Sequence, residues 1–197
     1  MRPTVPCTYY SIDIEATGPV PGLFSMVSLG AVVVAPGEDE NLLIGESFYA
    51  ELKPVFAGSQ PEANAIHGLD LERLKHDGLD PALAMRRLAE FVDRTCLRGT
   101  SPVFVGHVAV FDWMYVAWYF AWCGLENPFG YKGIDTKSLA MGALGLPWTD
   151  TSRETLVERL GLRPQAQDSL HRADADALHQ AEILVALLER SRLSPGA

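Results

Sequence analysis

The alternation of apolar and polar positions in the first part of the chain predicts three consecutive β-strands. "YYSIDIEATG" at residues 9–18 has β-branched and aromatic character, and its Thr-Gly pair ends the strand. "MVSLGAVVVA" at 26–35 is apolar at nearly every position, which is typical of a central strand. "GESFYAELKP" at 45–54 alternates, so it is predicted to form an antiparallel hairpin with its predecessor across the turn at 36–41.

The rest of the chain alternates between helical and strand patterns. Short helical turns are predicted at 60–74, and Asp80 caps a predicted helix at 81–95. The further predicted elements are a strand at 102–107, a helix at 111–124, a short strand passing into a helix within 130–144, a helix at 151–162 and a last helix at 173–192. Three strands followed by strand–helix alternation predict an α/β fold with a mixed sheet covered by helices.

Composition and charge narrow the class of protein. A chain of 197 residues suggests one domain, and its 48% hydrophobic and 21% charged residues are ordinary for a soluble globular protein. The formal net charge of −9 argues against a long basic groove that grips duplex backbone. A pocket that takes one nucleic-acid end through metal ions stays compatible with this charge.

The cysteines and the hydropathy indicate a compartment. The three cysteines are widely spaced and form neither a zinc pattern nor a disulfide framework, which favours a reducing environment. No apolar segment resembles a signal peptide at the start of the chain, and no apolar run reaches membrane-spanning length. We therefore expect a cytoplasmic protein that has no membrane partner.

Two acids in the first predicted strand require a counter-charge. Asp13 and Glu15 point to one side of the strand, while Ile12 and Ile14 point to the other. Two carboxylates about 7 Å apart on one face repel each other unless a cation lies between them. The pattern therefore predicts a cation close to this strand.

Two later acidic segments have simpler explanations when each is taken alone. Asp112 begins an apolar helix, where a carboxylate interacts favourably with the helix dipole. Asp176 in "HRADADA" lies at the start of the last helix, where acids commonly act as caps. His171 lies five residues earlier, about 140° around a helix axis, so it reaches the same site only if it precedes the first turn.

Taken together, these segments form three ordered motifs: Asp13-x-Glu15-x-Thr17-Gly18, Gly106-His107-x-x-x-Phe111-Asp112 and His171-x-x-x-x-Asp176. Over roughly residues 8–190 the sequence resembles the DEDDh 3′–5′ exonucleases, which include the polymerase III proofreading subunit, ribonuclease T and oligoribonuclease. The resemblance implies one exonuclease domain over 1–197 with a ribonuclease H-like α/β fold. Its mixed five-stranded sheet would be flanked by helices.

The resemblance also implies a reaction, namely metal-dependent release of nucleoside monophosphates from 3′ ends of single-stranded RNA or DNA or of short oligonucleotides. Two divalent ions, Mg²⁺ or Mn²⁺, suit ligands that offer only oxygen. The implied metal ligands are Asp13, Glu15, Asp112 and Asp176. His171 is the implied general base.

Substrate contacts are implied for Ile66 and His67, because "AIHGLD" at 65–70 resembles a substrate-contacting turn of the family. They are also implied for Thr17 in the first motif and for Phe111 in the second, whose ring offers a face for base stacking. An exposed turn histidine without such a contact is an equal alternative for His67. His107 is expected to support its loop. "NPFGYKGIDTKSLA" is more similar to the ribonuclease-type members, which favours RNA somewhat over DNA.

One residue departs from the family pattern, since Val108 stands where the family usually has Asn after the Gly-His pair. Val offers no side-chain hydrogen bond, so the loop or the substrate is positioned differently. All five catalytic-type residues are present, which predicts an active enzyme. A non-catalytic end-binding or polymerase-associated subunit and a hydrolase of dinucleotides or small phosphodiesters are the alternatives. A homodimer also stays open.

Overall fold

A mixed β-sheet forms the centre of the molecule, as the alternating pattern predicts. The computed structural model describes residues 6–37, 41–167 and 170–192, so part of the predicted turn at 36–41 lies outside the described residues. The strands are β1 (Cys7–Ala16), β2 (Met26–Pro36), β3 (Leu42–Glu51), β4 (Ser101–Gly106) and β5 (Gly133–Asp135). The helices are α1 (Pro61–His67), α2 (Leu71–Asp77), α3 (Pro81–Thr95), α4 (Ala109–Trp122), α5 (Thr136–Leu144), α6 (Arg153–Leu160) and α7 (Ala173–Arg192).

The strand order β3-β2-β1-β4-β5 combines two kinds of pairing. β2 runs antiparallel to both β1 and β3, whereas β4 runs parallel to β1 and β5 runs parallel to β4. The predicted mixed five-stranded sheet is therefore confirmed. Because the carboxyl ends of β1, β4 and β5 meet at one end of the sheet, the loops that follow them are brought together there.

Helices cover both faces of this sheet. On one face Tyr10, Ile12 and Ile14 of β1 join a core that α3 and α4 complete with apolar and aromatic side chains. On the other face α7 packs on the sheet through Ala177, Ala181 and Leu184, the positions that helical spacing predicts. Within the described residues, the structure contains no helix with the length and apolarity to cross a membrane.

A glycine permits the close approach of α7 to the sheet. A Cβ at Gly30 in β2 would lie 2.1 Å from the Ala173 carbonyl oxygen, so a larger residue would push the start of α7 outward. The third motif lies at this end of α7. Gly30 therefore helps to set how close Asp176 comes to β1.

Most predicted helix bounds agree with the structure, but α4 begins at Ala109, two residues before its predicted start. Its N-cap is Val108, whose φ of 62° and ψ of 48° place a β-branched residue in the left-handed region. At its other end Cys123 is the C-cap, and Gly124 follows with a φ of 65°. The predicted ending at Gly124 thus agrees with the structure to within two residues.

Candidate active site

The four predicted acids converge on one cleft of about 330 Å³ at the end of the sheet where the parallel strands finish. β1 supplies Asp13 and Glu15, and the first turns of α4 and α7 supply Asp112 and Asp176. All four are at most 9% exposed. The cleft is lined by Asp13, Ile14, Glu15, His107, Val108, Phe111, Asp112, Arg153, His171 and Asp176.

Hydrogen bonds fix three of these carboxylates. The Ile14 N–H donates to Asp112 Oδ1 over 3.2 Å, which ties α4 to β1. The Gln180 side-chain amide donates to Asp13 Oδ1 over 2.6 Å, and the Gln165 amide donates to Asp176 Oδ1 over 2.8 Å. One oxygen of each acid is thereby held in place before any ligand arrives.

A basic residue lies between the acids, which answers the question of the counter-charge raised by β1. Arg153 Nη1 is 2.9 Å from Asp176 Oδ1, and its Nη2 is 3.9 Å from Asp13 Oδ1. The side chain is 28% exposed and extends from the first turn of α6, whose N-cap is Ser152. Sequence reasoning missed Arg153. The available signal was general: a chain that buries four acids needs an internal cation.

One guanidinium does not balance four carboxylates. Burial, and then the Asp176 carboxylate, raise the pKa of Asp13 to about 7, while burial and Asp13 raise the pKa of Glu15 to about 9. Burial also raises the pKa of Asp112 well above its ordinary value. Arg153 opposes each of these increases. The cleft therefore favours additional positive charge.

The donor set fits divalent ions. Glu15, His171 and Asp176 each offer a ligand atom, and these atoms lie within 4.8 Å of one another. Carboxylate oxygens predominate, which suits Mg²⁺ or Mn²⁺ better than zinc. With Asp13 and Asp112, the cleft contains four carboxylates, and a divalent ion bound there would remove the repulsion between them.

His171 lies in the position that the spacing requires. It precedes α7, which begins at Ala173, and has a φ of 60°. Its exposed side chain borders the same cleft as Asp176. The left-handed turn before the helix therefore lets two residues five apart face one site. Its role as the general base stays a prediction.

The predicted substrate residues divide into two groups. Phe111 lines the cleft, whereas Thr17, Ile66 and His67 are absent from the described residues that line it. The Thr17 hydroxyl donates to the Gly58 carbonyl over 2.8 Å, so it holds the loop after β1. Ile66 is 55% exposed at the end of α1. Substrate contacts by these residues stay predictions.

The burial of His67 decides against the alternative that it is an exposed turn histidine. His67 is only 8% exposed, so the exposed-turn interpretation is wrong. Its Nδ1 accepts a hydrogen bond from the Leu69 N–H over 3.0 Å, and burial lowers its pKa. The imidazole therefore stabilises the turn that follows α1.

Gln180 is a second residue that sequence reasoning missed. It is fully buried, and besides its bond to Asp13 its Oε1 accepts the His107 N–H over 3.1 Å. His107 Nδ1 in turn lies 2.9 Å from Thr136 Oγ1, which agrees with its expected loop-supporting role. The available signal was a polar residue beside the buried positions Ala177, Ala181 and Leu184 of α7. A buried amide needs partners, and here those partners belong to the cleft.

Comparisons with known proteins place this chain among exonuclease sequences. A family model described as the 3'-5' exoribonuclease Rv2179c-like domain matches residues 8–188. The 3'-5' DNA exonuclease Cap18 of Escherichia coli is 34% identical over 178 residues, which cover 89% of this chain and 88% of that protein. The PolC-type DNA polymerase III of Thermotoga maritima is 28% identical over 185 residues, which cover 92% of this chain but 12% of that polymerase.

Solved structures show the same fold at low sequence identity. The nuclease domain of 3'hExo, a DEDDh family member bound to rAMP, superposes with a TM-score of 0.76 at 15% identity and covers 92% of both chains. Escherichia coli exonuclease I in complex with a dT13 oligonucleotide gives a TM-score of 0.71 at 19% identity, covering 95% of this chain and 42% of that one. The predicted ribonuclease H-like fold is therefore confirmed.

Proposed function

Because this chain belongs to the family of 3'-5' exoribonuclease Rv2179c-like domains, we propose that it removes nucleoside monophosphates one at a time from single-stranded or short nucleic acids. Its class is established by that membership: it is a 3′–5′ exonuclease that acts on nucleic acid with divalent metal ions.

The observation that carries the proposal is the convergence of four buried acids from β1, α4 and α7 around one cleft. Asp13, Glu15, Asp112 and Asp176 would hold a pair of Mg²⁺ or Mn²⁺ ions. When bound, such a pair supplies activation of the attacking water and stabilisation of charge on the phosphate and the leaving oxygen. The acids belong to β1 and to two helices, so their positions are fixed before the substrate arrives.

His171 would act as the general base. Its side chain lies at the solvent-exposed edge of the cleft beside Glu15 and Asp176, where it can accept a proton from the attacking water and pass it to solvent. The left-handed turn before α7 orients the imidazole toward the acids. Phe111, which lines the same cleft, offers a face on which the terminal base can stack.

The size of the cleft and the net charge of the chain favour binding of one nucleic-acid end over binding of a long duplex. The cleft has a volume of about 330 Å³, and the chain carries a formal net charge of −9. A long duplex contact depends on many basic side chains along the backbone. Because the chain is an exonuclease, the non-catalytic alternative is set aside. The dinucleotide alternative is an outcome of the experiment below.

The test is digestion of matched RNA and DNA single strands, a blunt duplex and a dinucleotide, each labelled at the 3′ nucleotide. With Mg²⁺ or Mn²⁺ we expect labelled nucleoside monophosphate to appear first from the single strands, and chromatography identifies the product. The RNA and DNA arms assign the sugar preference. EDTA-treated enzyme is the control. Activity confined to the dinucleotide would replace the proposal with the dinucleotide alternative, and internal cleavage would contradict it.

A further inference from the structure

The position of Arg153 assigns it a second role, which rests on the proposed metal site. We propose that Arg153 is a mobile counter-ion: it neutralises the acids of the metal-free cleft, is displaced by divalent ions, and then binds a phosphate of the substrate.

The contacts place Arg153 in competition with a metal ion. Its guanidinium is 2.9 Å from Asp176 Oδ1 and 3.9 Å from Asp13 Oδ1, and both acids are among the four assigned to the ions. A guanidinium and a divalent ion repel each other strongly at such separations inside a protein. Occupation of the acids by metal therefore expels the guanidinium from them.

The surrounding space allows this movement without loss of the residue from the site. Besides lining the cleft, Arg153 lines an adjoining cavity of about 610 Å³ that is bordered by Val157 of α6 and His179 of α7. Its backbone belongs to the first turn of α6, and the Ser152 hydroxyl accepts the Thr155 N–H there. A fixed backbone with room for the side chain keeps the displaced guanidinium at the edge of the cleft.

The charges around the cleft give the displaced guanidinium an obvious ligand. Among the described residues that line the cleft, Arg153 is the one Lys or Arg, and the other charged side chains are acids. A substrate brings phosphates to this acidic surface. The planar guanidinium donates two parallel N–H bonds to phosphate oxygens, which fits this task better than a lysine would.

The first experiment titrates Mn²⁺ alone into the metal-free full chain by calorimetry. Because Arg153→Gln removes a competing cation, we expect Mn²⁺ to bind that variant about fivefold or more tightly than the wild type. Arg153→Lys retains the charge and should bind Mn²⁺ within about twofold of the wild type. The matched control is Arg159→Gln, which makes the same charge change at an exposed position of α6 and should leave Mn²⁺ binding unchanged.

The second experiment titrates AMP or dAMP, as a phosphate-bearing probe, into the Mn²⁺-loaded proteins. Arg153→Gln should bind the probe about fivefold or more weakly, whereas Arg159→Gln should match the wild type. One substitution would thus strengthen metal binding and weaken phosphate binding, a pair of changes that general structural damage does not produce. Comparable far-UV circular dichroism of all variants checks that they are folded.

The outcomes separate this inference from the proposed function. If the wild type binds no Mn²⁺, the proposed metal site fails and the role of Arg153 fails with it. If the wild type binds Mn²⁺ but Arg153→Gln binds it no more tightly, the counter-ion role alone is overturned. Unchanged binding of the monophosphate by Arg153→Gln overturns the phosphate contact.

Discussion

The two faces of β1 carry opposite kinds of residue within one ten-residue strand. Toward α3 and α4 it presents Tyr10, Ile12 and Ile14, which join the largest apolar cluster among the residues that the structure describes. Toward α7 it presents Asp13 and Glu15, which line the cleft. Both faces are buried, yet burial stabilises the first face and penalises the second. A strand of alternating side chains can therefore combine a source of stability with a reactive site.

The apolar face of β1 pays no penalty for its burial. Ile12 is completely buried, and a side chain of this kind contributes about 1.5–3 kcal/mol when removed from water. Even the polar atom on this face has partners, since the Tyr10 hydroxyl donates to the Val92 carbonyl over 3.0 Å. The Tyr10 ring also packs edge-on against Phe91, with centroids 6.1 Å apart.

Burying the acidic face of β1 costs free energy, and the residues that contact its carboxylates only reduce this cost. Gln180 and Arg153 contact Asp13, but burial still raises the pKa of this acid to about 7. Glu15, with a pKa raised to about 9, has its charged form disfavoured further. The stability that the apolar face supplies offsets this cost, and a bound divalent ion would remove it.

The largest expected effect is a loss of activity without a loss of stability, and it comes from replacing one carboxylate oxygen of Asp13 by an amide nitrogen. Asp13→Asn should lower 3′-end release on the order of ten-thousandfold, because the acids act as a unit. Its stability should be equal or higher, since a buried charge is removed while an oxygen stays for the Gln180 amide to contact. Rates of monophosphate release and urea unfolding of the metal-free protein provide the two measurements.

Ile12→Ala is the matched control on the opposite face of β1. It should lower the free energy of unfolding by about 2–5 kcal/mol, while the folded enzyme keeps its activity within a few-fold. The contrast between the faces would be wrong if Asp13→Asn unfolded as easily as Ile12→Ala. It would also be wrong if Ile12→Ala lost activity while remaining folded.

What the sequence could predict follows the same division. The strand period and the helix cap are local signals, so β1 and α3 were accessible from the residues themselves, whereas the convergence of Asp13 with Asp176 was implied by the family resemblance that the three motifs carry. Arg153 and Gln180 were not, because their contacts depend on how α6 and α7 pack rather than on neighbouring residues. Partners supplied by tertiary packing leave little trace in a pattern that is read along one strand or helix.

The burial of His67 and the start of α4 were missed for a related reason. His67 follows an exposed residue in a turn-like segment, so nothing local indicates that its ring is enclosed. α4 begins early because Val108 adopts a backbone conformation that β-branched residues avoid. Local preference predicts the opposite, and the surrounding contacts override it.

A smaller effect is expected in the pH dependence of stability, which measures the cost of burying charged Asp13 and Glu15. Asp13 and Glu15 ionise near pH 4 in an unfolded chain, but their folded pKa values are about 7 and 9. The folded protein therefore binds more protons than the unfolded chain within this window, and its stability falls as pH rises. We expect the Tm of EDTA-treated protein to fall by about 4 °C or more between pH 5 and pH 9, which corresponds to about 1–2 kcal/mol.

Calorimetry of the metal-free protein across this pH range provides the measurement, and Glu15→Gln is the control. Because that variant lacks the acid whose pKa is raised to about 9, its Tm should change less with pH than that of the wild type. Saturating Mg²⁺ or Mn²⁺ should flatten the profile of the wild type. An equal fall in both proteins would show that Glu15 is not its cause.

The smallest effect concerns Val108, which lies where the two regions meet. It caps α4, whose side chains enter the apolar core, and its own side chain lines the cleft. A left-handed backbone costs a β-branched residue about 1–3 kcal/mol, whereas Asn tolerates it better. Val108→Asn should therefore raise the Tm by about 2–4 °C, or about 1 kcal/mol, in thermal unfolding.

The hydrogen bonds on either side of Val108 explain why the strain persists. The His107 N–H donates to Gln180 Oε1 over 3.1 Å, and the Ala109 N–H donates to Asp135 Oδ2 over 2.9 Å. One flanking peptide is thus fixed to α7 and the other to the end of β5, so Val108 cannot relax without disturbing these contacts. Val110→Asn, the same exchange at an exposed helical position, should give no gain in Tm. If both variants gained equally, added surface polarity would explain the stabilisation and the left-handed turn would not.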